Sequence, residues 1–449
     1  MVCEAVILAA GLGTRMRSET PKALHLLAGI SLLSWVERAC RAAVGRPPVV
    51  VVGPEGASAA AVLPKDVRFV VQTERLGTGH AVRQAESELR GRGDLVLVVT
   101  ADMPLVRSES LRRLIETQQS SAGSMTLMTV AGAEARGFGR ITRDEDRRVS
   151  GVVEEAVARP EQLAIGELNT SLYCFDGAWL WENLARLTPA PNGEFYLTDL
   201  VALAAAGGGR VSAIEIDDRD EVIGINTRAH LAQAEAALRR RINHEWMLAG
   251  VTLTDPESTY IEPSVRLSAE VEILPNTHLR GETSVGRGSR LGPNTVVADS
   301  LVGDRCRIDS SVVEGARLDD EVHVGPFAHL RSGARLGRGV HMGNFGEVKN
   351  SVLGPGVKMG HFSYIGDAEI GDETNVGAGT ITCNFSRDGK KNRTTIGEHV
   401  FLGSDSLLVA PVRIGDGSAT GAGSVVTRDV PPGSLAVGMP ARVIRSAKE

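Results

Sequence analysis

Three stretches near the start of the chain, two rich in glycine and one carrying a carboxylate, suit phosphate chemistry. The first is Leu8-Ala9-Ala10-Gly11-Leu12-Gly13-Thr14-Arg15-Met16, directly after an apolar run and followed by Pro21-Lys22. Its glycines let backbone N–H groups close around phosphate oxygens, and Arg15 and Lys22 supply the compensating positive charge. It is not the dinucleotide fingerprint, whose third glycine would fall at Met16, and no Gly-Lys-Ser/Thr follows to make it a P-loop. A tight turn without a ligand has the same local pattern. In the second stretch, Gln72 precedes Leu76-Gly77-Thr78-Gly79-His80-Ala81, a glycine-rich turn that opens a helix. The third is Asp102, in Thr100-Ala101-Asp102-Met103-Pro104. A carboxylate at the carboxyl edge of a strand can hold Mg²⁺ against phosphates, and a solvated helix cap is the plain alternative.

A different set stands in the last third of the chain. Arg331, Lys349, His361, Tyr364 and Asn375 interrupt an otherwise repetitive, aliphatic pattern. Lysine is scarce, seven against 42 arginines, which makes Lys349 beside a core aliphatic conspicuous. Taken singly, each of these five reads equally well as a solvated ridge residue. Together they meet the needs of acyl transfer from a thioester to an amine. Histidine is the side chain that titrates near neutrality and can take the ammonium proton, while Arg and Lys can hold a phosphate on the acceptor.

The elements that must position these groups fall into two kinds. Over residues 1–225, β-rich runs at Ala5–Ala9, Val49–Val52, Leu95–Val99 and Met125–Val130 alternate with helix-like stretches such as Leu32–Ala43 and Ser108–Gln118. Near-continuous apolar strands alternating with helices predict an α/β, mostly parallel, doubly wound sheet. Ligands of such sheets bind beyond the carboxyl ends of the strands, so motifs immediately after strands, such as the first glycine loop and Asp102, count most. From Thr227 to Met247, Leu231, Ala234, Leu238, Ile242 and Trp246 recur at helical spacing, with Arg239, Arg240 and Arg241 between them. Without the Gly, Ser or Pro of a flexible linker, this reads as a rigid helical connector.

After Thr259 an aliphatic residue recurs every sixth position: Ile261, Leu267, Ile273, Leu279, Val285, Leu291 and Val297. The phase slips, then resumes through Leu318, Val324, Leu330, Leu336, Met342 and Val348, and again from Ile396 to Val426. A hexapeptide period is the signature of a parallel β-helix with three short strands per triangular coil. Resemblance to the known hexapeptide prisms implies left-handed crossovers, the family exception to the right-handed rule. One inward anchor per strand leaves little room for rings, in keeping with only 4% aromatic residues. The polar segment Thr382–Thr395 breaks the repeat, and long loops in compact repeats tend to carry function. The expected domains are 1–226, a helical linker at 227–249, and 250–449.

Composition narrows the function. A net charge of −6 gives no electrostatic case for nucleic acid or an anionic membrane. No apolar run reaches the ~18 residues of a membrane span, and the N-terminus lacks the features of a signal peptide. Five cysteines without close pairs fit neither a disulfide framework nor a zinc site, which points to a reducing cytoplasm.

The motifs LAAGLGTRM…PK, QTERLGTGHA, ADMP, GFGRI, ELNTSLY and GEFYLTDL occur in this order, followed by MGHFSYIGDA and NVGAGT. Across essentially the whole chain this resembles the bacterial bifunctional N-acetylglucosamine-1-phosphate uridyltransferase/glucosamine-1-phosphate acetyltransferase family. The resemblance implies a sugar-nucleotide pyrophosphorylase domain that joins UTP to N-acetylglucosamine-1-phosphate, and a prism that acetylates glucosamine-1-phosphate from acetyl-CoA. By it, Leu8, Ala9, Ala10, Gly11, Gln72, Gly77 and Thr78 surround the nucleotide, and Arg15 and Lys22 bind the triphosphate. Gly139, Glu154 and Asn169 hold the sugar, and Asp102 and Asn226 hold Mg²⁺. His361 is the general base, and Arg331, Lys349, Tyr364 and Asn375 bind the amino-sugar phosphate. Ala378, Asn384, Phe385, Ser404 and Ala422 line the acetyl-CoA groove, and three prisms form a homotrimer. The alternatives are a nucleotidyltransferase with a purely regulatory prism, or a binding protein of the exchange-factor type, which predicts a degraded Lys22 and Asp102. Both are intact.

Overall fold

Valine-rich runs make strands, and where helices cover both faces of a sheet those runs need no polar face. A computed structural model of the chain describes residues 1–132 and 137–445. Two compact units emerge, Met1–Ala237 and Leu238–Glu449, and the boundary falls inside the helix Arg228–Leu248.

The first unit holds a nine-stranded sheet of β1 (Cys3–Ala9), β2 (Val49–Val52), β3 (Arg68–Val71), β4 (Leu95–Thr100), β5 (Met125–Ala131), β6 (Gly139–Arg143), β7 (Val149–Val153), β8 (Glu167–Asp176) and β9 (Val211–Glu215). Its order is β9-β5-β8-β4-β1-β2-β3, with β6 paired to β8 and to β7. β1 runs parallel to β2 and β4, while β8 is antiparallel to both β4 and β5. Alternate residues of the central strands feed two separate cores. Ile7 and Leu97 pack with Leu33 and Leu111 on one face, and Val6 and Val98 with Val82 and Phe175 on the other. Burial on both faces is why these strands read as unbroken apolar runs.

Every strand and helix anticipated in this region is present; Val49–Val52 keeps its bounds and the others extend by one to three residues. Leu32–Val44 starts where the Ser31 hydroxyl accepts the Ser34 N–H at 3.1 Å, and it ends on Gly45 at φ 75°. Strands β3 and β6–β9 fall outside the apolar runs read as strands; they are short or carry polar residues, as in Glu167-Leu168-Asn169-Thr170-Ser171 of β8.

The second unit is a left-handed parallel β-helix with three faces, sheets of twelve, ten and nine strands. Each inward anchor stacks on the next coil: Ile261 on Leu279 and Val297, Leu267 on Val285 and Val302, Ile273 on Leu291 and Ile308. From Val297 the register continues to Val313 and Leu330 over coils shortened at their corners, which produces the phase slip in the sequence. The step from Ile370 to Ile396 accommodates the polar segment 382–395 without disturbing the stack. Its ends run into strands Ile381–Cys383, on the ten-stranded face, and Thr394–Ile396, on the nine-stranded face.

Leu330, Leu336, Met342 and Val348 are at most 1% exposed. The phenylalanines of this unit (Phe327, Phe345, Phe362, Phe385 and Phe401) are instead 56–69% exposed, all on the outside. The final strand Ala441–Arg445 folds back antiparallel on Leu435–Gly438 and ends the twelve-stranded face. In the helix, Ala234, Leu238 and Ile242 are buried as their spacing requires. So is Asn243, whose Nδ2 donates to the carbonyls of Pro256 and Thr259 at 2.7 and 2.9 Å, a polar anchor hidden from apolar periodicity.

Because the prism has no slack inside, Leu330→Ala is expected to cost about 2–5 kcal/mol. Urea unfolding followed by circular dichroism checks it, and a change below about 1 kcal/mol would mean the stack is not the source of stability.

Candidate functional site

The loop after β1 is shaped by one glycine and left open at another. Gly13 sits at φ 63°, and a Cβ there would lie 2.6 Å from the Cβ of Lys22. Only glycine lets Lys22 fold this close to the loop. A Cβ on Gly11 would meet nothing within 4 Å, so nothing in the protein itself demands that glycine.

The Lys22 ammonium donates to Asp102 Oδ2 at 2.7 Å and to Asn226 Oδ1 at 3.2 Å, and Arg15 donates to the same Asn226 oxygen at 3.0 Å. The Ile225 N–H donates to the Asp102 carbonyl at 2.8 Å, which ties the two distant segments together. Burial by itself would raise the Asp102 carboxyl, but the charge and hydrogen bond of Lys22 hold it below the usual carboxylate range. One carboxylate and one carboxamide oxygen already converge on a single cation. Both are hard oxygen donors, which suits Mg²⁺ completed by phosphate and water oxygens. Among the described residues no group of three or more His, Cys, Asp or Glu forms a richer cluster.

The second glycine turn packs against a strand-like segment of the same unit. Gly77, at φ 96°, would place a Cβ 2.6 Å from the Phe195 carbonyl oxygen. Gln72 is buried, and its Nε2 donates to the Gly77 carbonyl at 3.1 Å and lies 3.1 Å from His80 Nδ1. The Thr78 hydroxyl accepts the Leu197 N–H at 3.0 Å, so Thr78 clamps the loop as well as facing outward. The Ala10 carbonyl accepts from Arg75 Nε at 2.8 Å, and Leu8 and Ala9 complete the end of β1 beside β4.

Gly139, Glu154 and Asn169 come together although they lie on three separate segments. Gly139 pairs with Asn169 across β6 and β8, and a Cβ on Gly139 would approach Glu154 Oε2 to 3.5 Å. The Thr198 hydroxyl donates to Glu154 Oε1 at 2.9 Å, and Asn169 Nδ2 donates to the Tyr173 hydroxyl at 2.7 Å. Burial raises the Glu154 carboxyl, and the nearby Asp199 and Glu194 push the same way against the Thr198 hydrogen bond. A carboxyl group and a carboxamide beside a bare glycine offer both donors and acceptors to a ligand's hydroxyl and amide groups. Sequence reasoning singled out neither Tyr173 nor Thr198, although both lie inside quoted motifs, ELNTSLY and GEFYLTDL, because a motif does not say which of its side chains support another.

In the second unit, Arg331, Lys349 and Tyr364 lie on successive coils of the ten-stranded face, with Glu347 paired to Tyr364 in register. Arg331 is held by Glu347 at 2.8 Å. A Cβ on Gly366 would meet the Tyr364 hydroxyl at 2.4 Å and Asn384 Nδ2 at 2.8 Å, so a glycine there lets both side chains converge. Asn384 Nδ2 donates to Asp367 Oδ2 at 2.5 Å, which anchors the base of the 382–395 loop and leaves Phe385 projecting. His361 is exposed at the corner before Phe362, and Asn375 faces out from the twelve-stranded face, away from Tyr364. Ala378, Ser404 and Ala422 form a ladder of small residues along one edge, joined by Asp405 N–H to Ala378 and Gly423 N–H to Ser404. Beside it runs a groove of about 620 Å³ lined by Phe345, Phe362, Tyr364, Ile381, Leu407 and Met439.

The fold and these groups define a nucleotidyltransferase unit joined to a hexapeptide-repeat transferase unit. Residues 5–191 match the MobA-like NTP transferase domain and residues 393–428 the bacterial transferase hexapeptide family. The chain is 45% identical to the bifunctional protein GlmU of Pelobacter propionicus over 98% of its own length and 96% of that protein. It is 44% identical to that of Heliobacterium modesticaldum (96% and 94%) and 43% to that of Streptococcus mutans (97% and 95%). The chain belongs to the GlmU family. It is a bifunctional enzyme, a UDP-N-acetylglucosamine diphosphorylase and a glucosamine-1-phosphate N-acetyltransferase, with acetyl-CoA and a metal among its requirements.

Gly13→Ala should push Lys22 out of the Asp102–Asn226 bridge. We expect at least a tenfold weaker UTP affinity by calorimetry, with acetyl transfer unchanged; UTP affinity equal to the parent's would show that the loop tolerates a Cβ.

Proposed function

We propose that residues 1–226 carry the uridylyl transfer, 227–249 link, and 250–449 carry the acetyl transfer, with the residue roles that follow. The observation that carries the first assignment is the convergence of Lys22, Arg15, Asp102 and Asn226 on one point beside the open glycine loop. Arg15 and Lys22 hold the UTP triphosphate while the phosphate oxygen of N-acetylglucosamine-1-phosphate attacks the α-phosphorus in line and pyrophosphate leaves. Asp102 and Asn226 would hold Mg²⁺, which supplies neutralisation of charge on the phosphates. No covalent nucleophile is needed, because positioning and charge neutralisation suffice for phosphoryl-type transfer. Leu8, Ala9, Ala10, Gly11, Gln72, Gly77 and Thr78 frame the uridine and ribose. Gly139, Glu154 and Asn169 bind the sugar.

In the prism, Arg331, Lys349, Tyr364 and Asn375 bind glucosamine-1-phosphate, and His361 removes the proton from its ammonium group. The amine then attacks the thioester carbonyl of acetyl-CoA, and the CoA thiolate leaves. Ala378, Ser404 and Ala422 make the shallow edge along which the cofactor lies, and Asn384 and Phe385 flank it. Tyr364 and Asn375 sit on different faces of one prism, so a site that uses both is best completed by a neighbouring copy. The outward phenylalanines supply apolar surface for such packing, which supports a homotrimer. Five free cysteines suit a reducing cytoplasm. No helix among the described residues is long and apolar enough to cross a membrane.

Two measurements test these roles. In an assay that follows CoA thiol and pyrophosphate separately, Asp102→Ala should abolish pyrophosphate release at least ~10²-fold and spare thiol release. His361→Ala should do the reverse, in line with the usual contribution of a general base. A variant that loses both or neither would refute the division. Because burial raises the Glu154 carboxyl, it stays protonated at pH values where an ordinary glutamate has ionised. If the ionised form accepts the sugar's hydrogen bonds, KM for the sugar phosphate should climb as pH falls through that raised pKa. Glu154→Gln should flatten the climb; a profile identical in both proteins would assign it to another group.

A further inference from the structure

β8 contains a buried phenol that neither reaction uses. Tyr173 is 3% exposed and Asn169 is 2% exposed. On a regular strand, side chains four residues apart share a face but stand ~13 Å apart along it. Here they touch, because the strand bulges between them. Asn169 pairs with Thr129 of β5, yet Tyr173 pairs already with Leu127, so three intervening residues of β8 oppose one of β5. Ser171, in the middle, takes up the excess in the left-handed region at φ 59°. The Thr170 hydroxyl donates to the Met128 carbonyl at 2.7 Å, which keeps the interrupted ladder satisfied. Bulges commonly re-aim side chains beside active sites.

The contact acts on both ends of one carboxamide. Asn169 Nδ2 donates to Tyr173 Oη at 2.7 Å, and Asn169 Oδ1 accepts the Ser171 N–H at 3.3 Å. With both ends held, the side chain cannot exchange its oxygen and nitrogen without stranding a buried donor. We propose that Tyr173 is a positioning residue of the sugar-phosphate subsite: through the Ser171 bulge it sets which edge of the Asn169 carboxamide faces the sugar. This rests on the reading that Asn169 binds the sugar. It adds a determinant outside the residues that line the subsite. The ring stays useful without its hydroxyl, since it packs against Phe175 with centroids 5.7 Å apart. Tyr173→Phe therefore removes the hydrogen bond and leaves the packing.

The test is steady-state kinetics of both reactions on the full chain, with thermal unfolding alongside. For Tyr173→Phe we expect KM for N-acetylglucosamine-1-phosphate to rise about tenfold, the scale of one buried hydrogen bond. KM for UTP and the acetyl-transfer rate should stay within about twofold, and Tm should hold. Ser171→Val, which cannot adopt the left-handed conformation without strain, should produce the same selective rise, and Ser171→Gly should not. Asn169→Ala separates the two levels of the reading. If it leaves KM for the sugar phosphate unchanged, the subsite reading fails. If it raises that KM while Tyr173→Phe does not, or if Tyr173→Phe lowers both activities and Tm together, the positioning role is overturned.

Discussion

The second unit depends on a single steric constraint. A coil that directs one side chain per strand inward must repeat an aliphatic residue in register, coil after coil, because the interior has no room for anything larger or charged. Leu330, Leu336, Met342 and Val348 obey it at near-zero exposure. Everything irregular is therefore expelled: the phenylalanines to the outside, the extra residues of 382–395 to one corner, and the chain end to an antiparallel flap. It is on this outer surface that we place the acetyl-transfer groups. Arg331, Lys349 and Tyr364 ride outward on a rigid lattice whose coils are spaced by backbone hydrogen bonding, so their separations are set by the ladder, not by their own packing.

The first unit solves a different problem, that of gathering charge. Lys22, Asp102 and Asn226 are separated by long stretches of chain, and a doubly wound sheet brings them together because loops from several strand ends share one edge. The Lys22–Asp102 pair at 2.7 Å is partly buried, a costly arrangement unless each charge keeps a partner. Asn226 shares the load by accepting from both cations. The consequence is a site whose oxygens face a positive charge from the outset, with an open glycine turn next to it.

Much of this is legible in the sequence. Val49–Val52 is buried on both faces, and its four consecutive valines say so directly. The hexapeptide period states the prism outright, since a three-faced coil is the economical way to bury every sixth residue. The glycine turns announced close backbone approach, and Gly13 and Gly77 do sit where a Cβ would collide. The strands from β6 to β9 were harder. β8 opens with Glu167, Asn169 and Ser171, of which Glu and Asn are depleted in strands; burial between β4 and β5 overrides that preference.

Sequence alone therefore determined what is periodic or local: the inward stack, the phosphate-suited turns, and the residue types able to do each chemistry. Tertiary structure decided which of those residues meet. Gly139, Glu154 and Asn169 converge only through the pairing of β6 with β8, and Tyr173 reaches Asn169 only because β8 carries two extra residues against β5. Periodicity records how a segment faces its own core. It carries no record of which distant segment supplies the other half of a hydrogen bond, because that depends on register and on a bulge whose energy is shared among many residues.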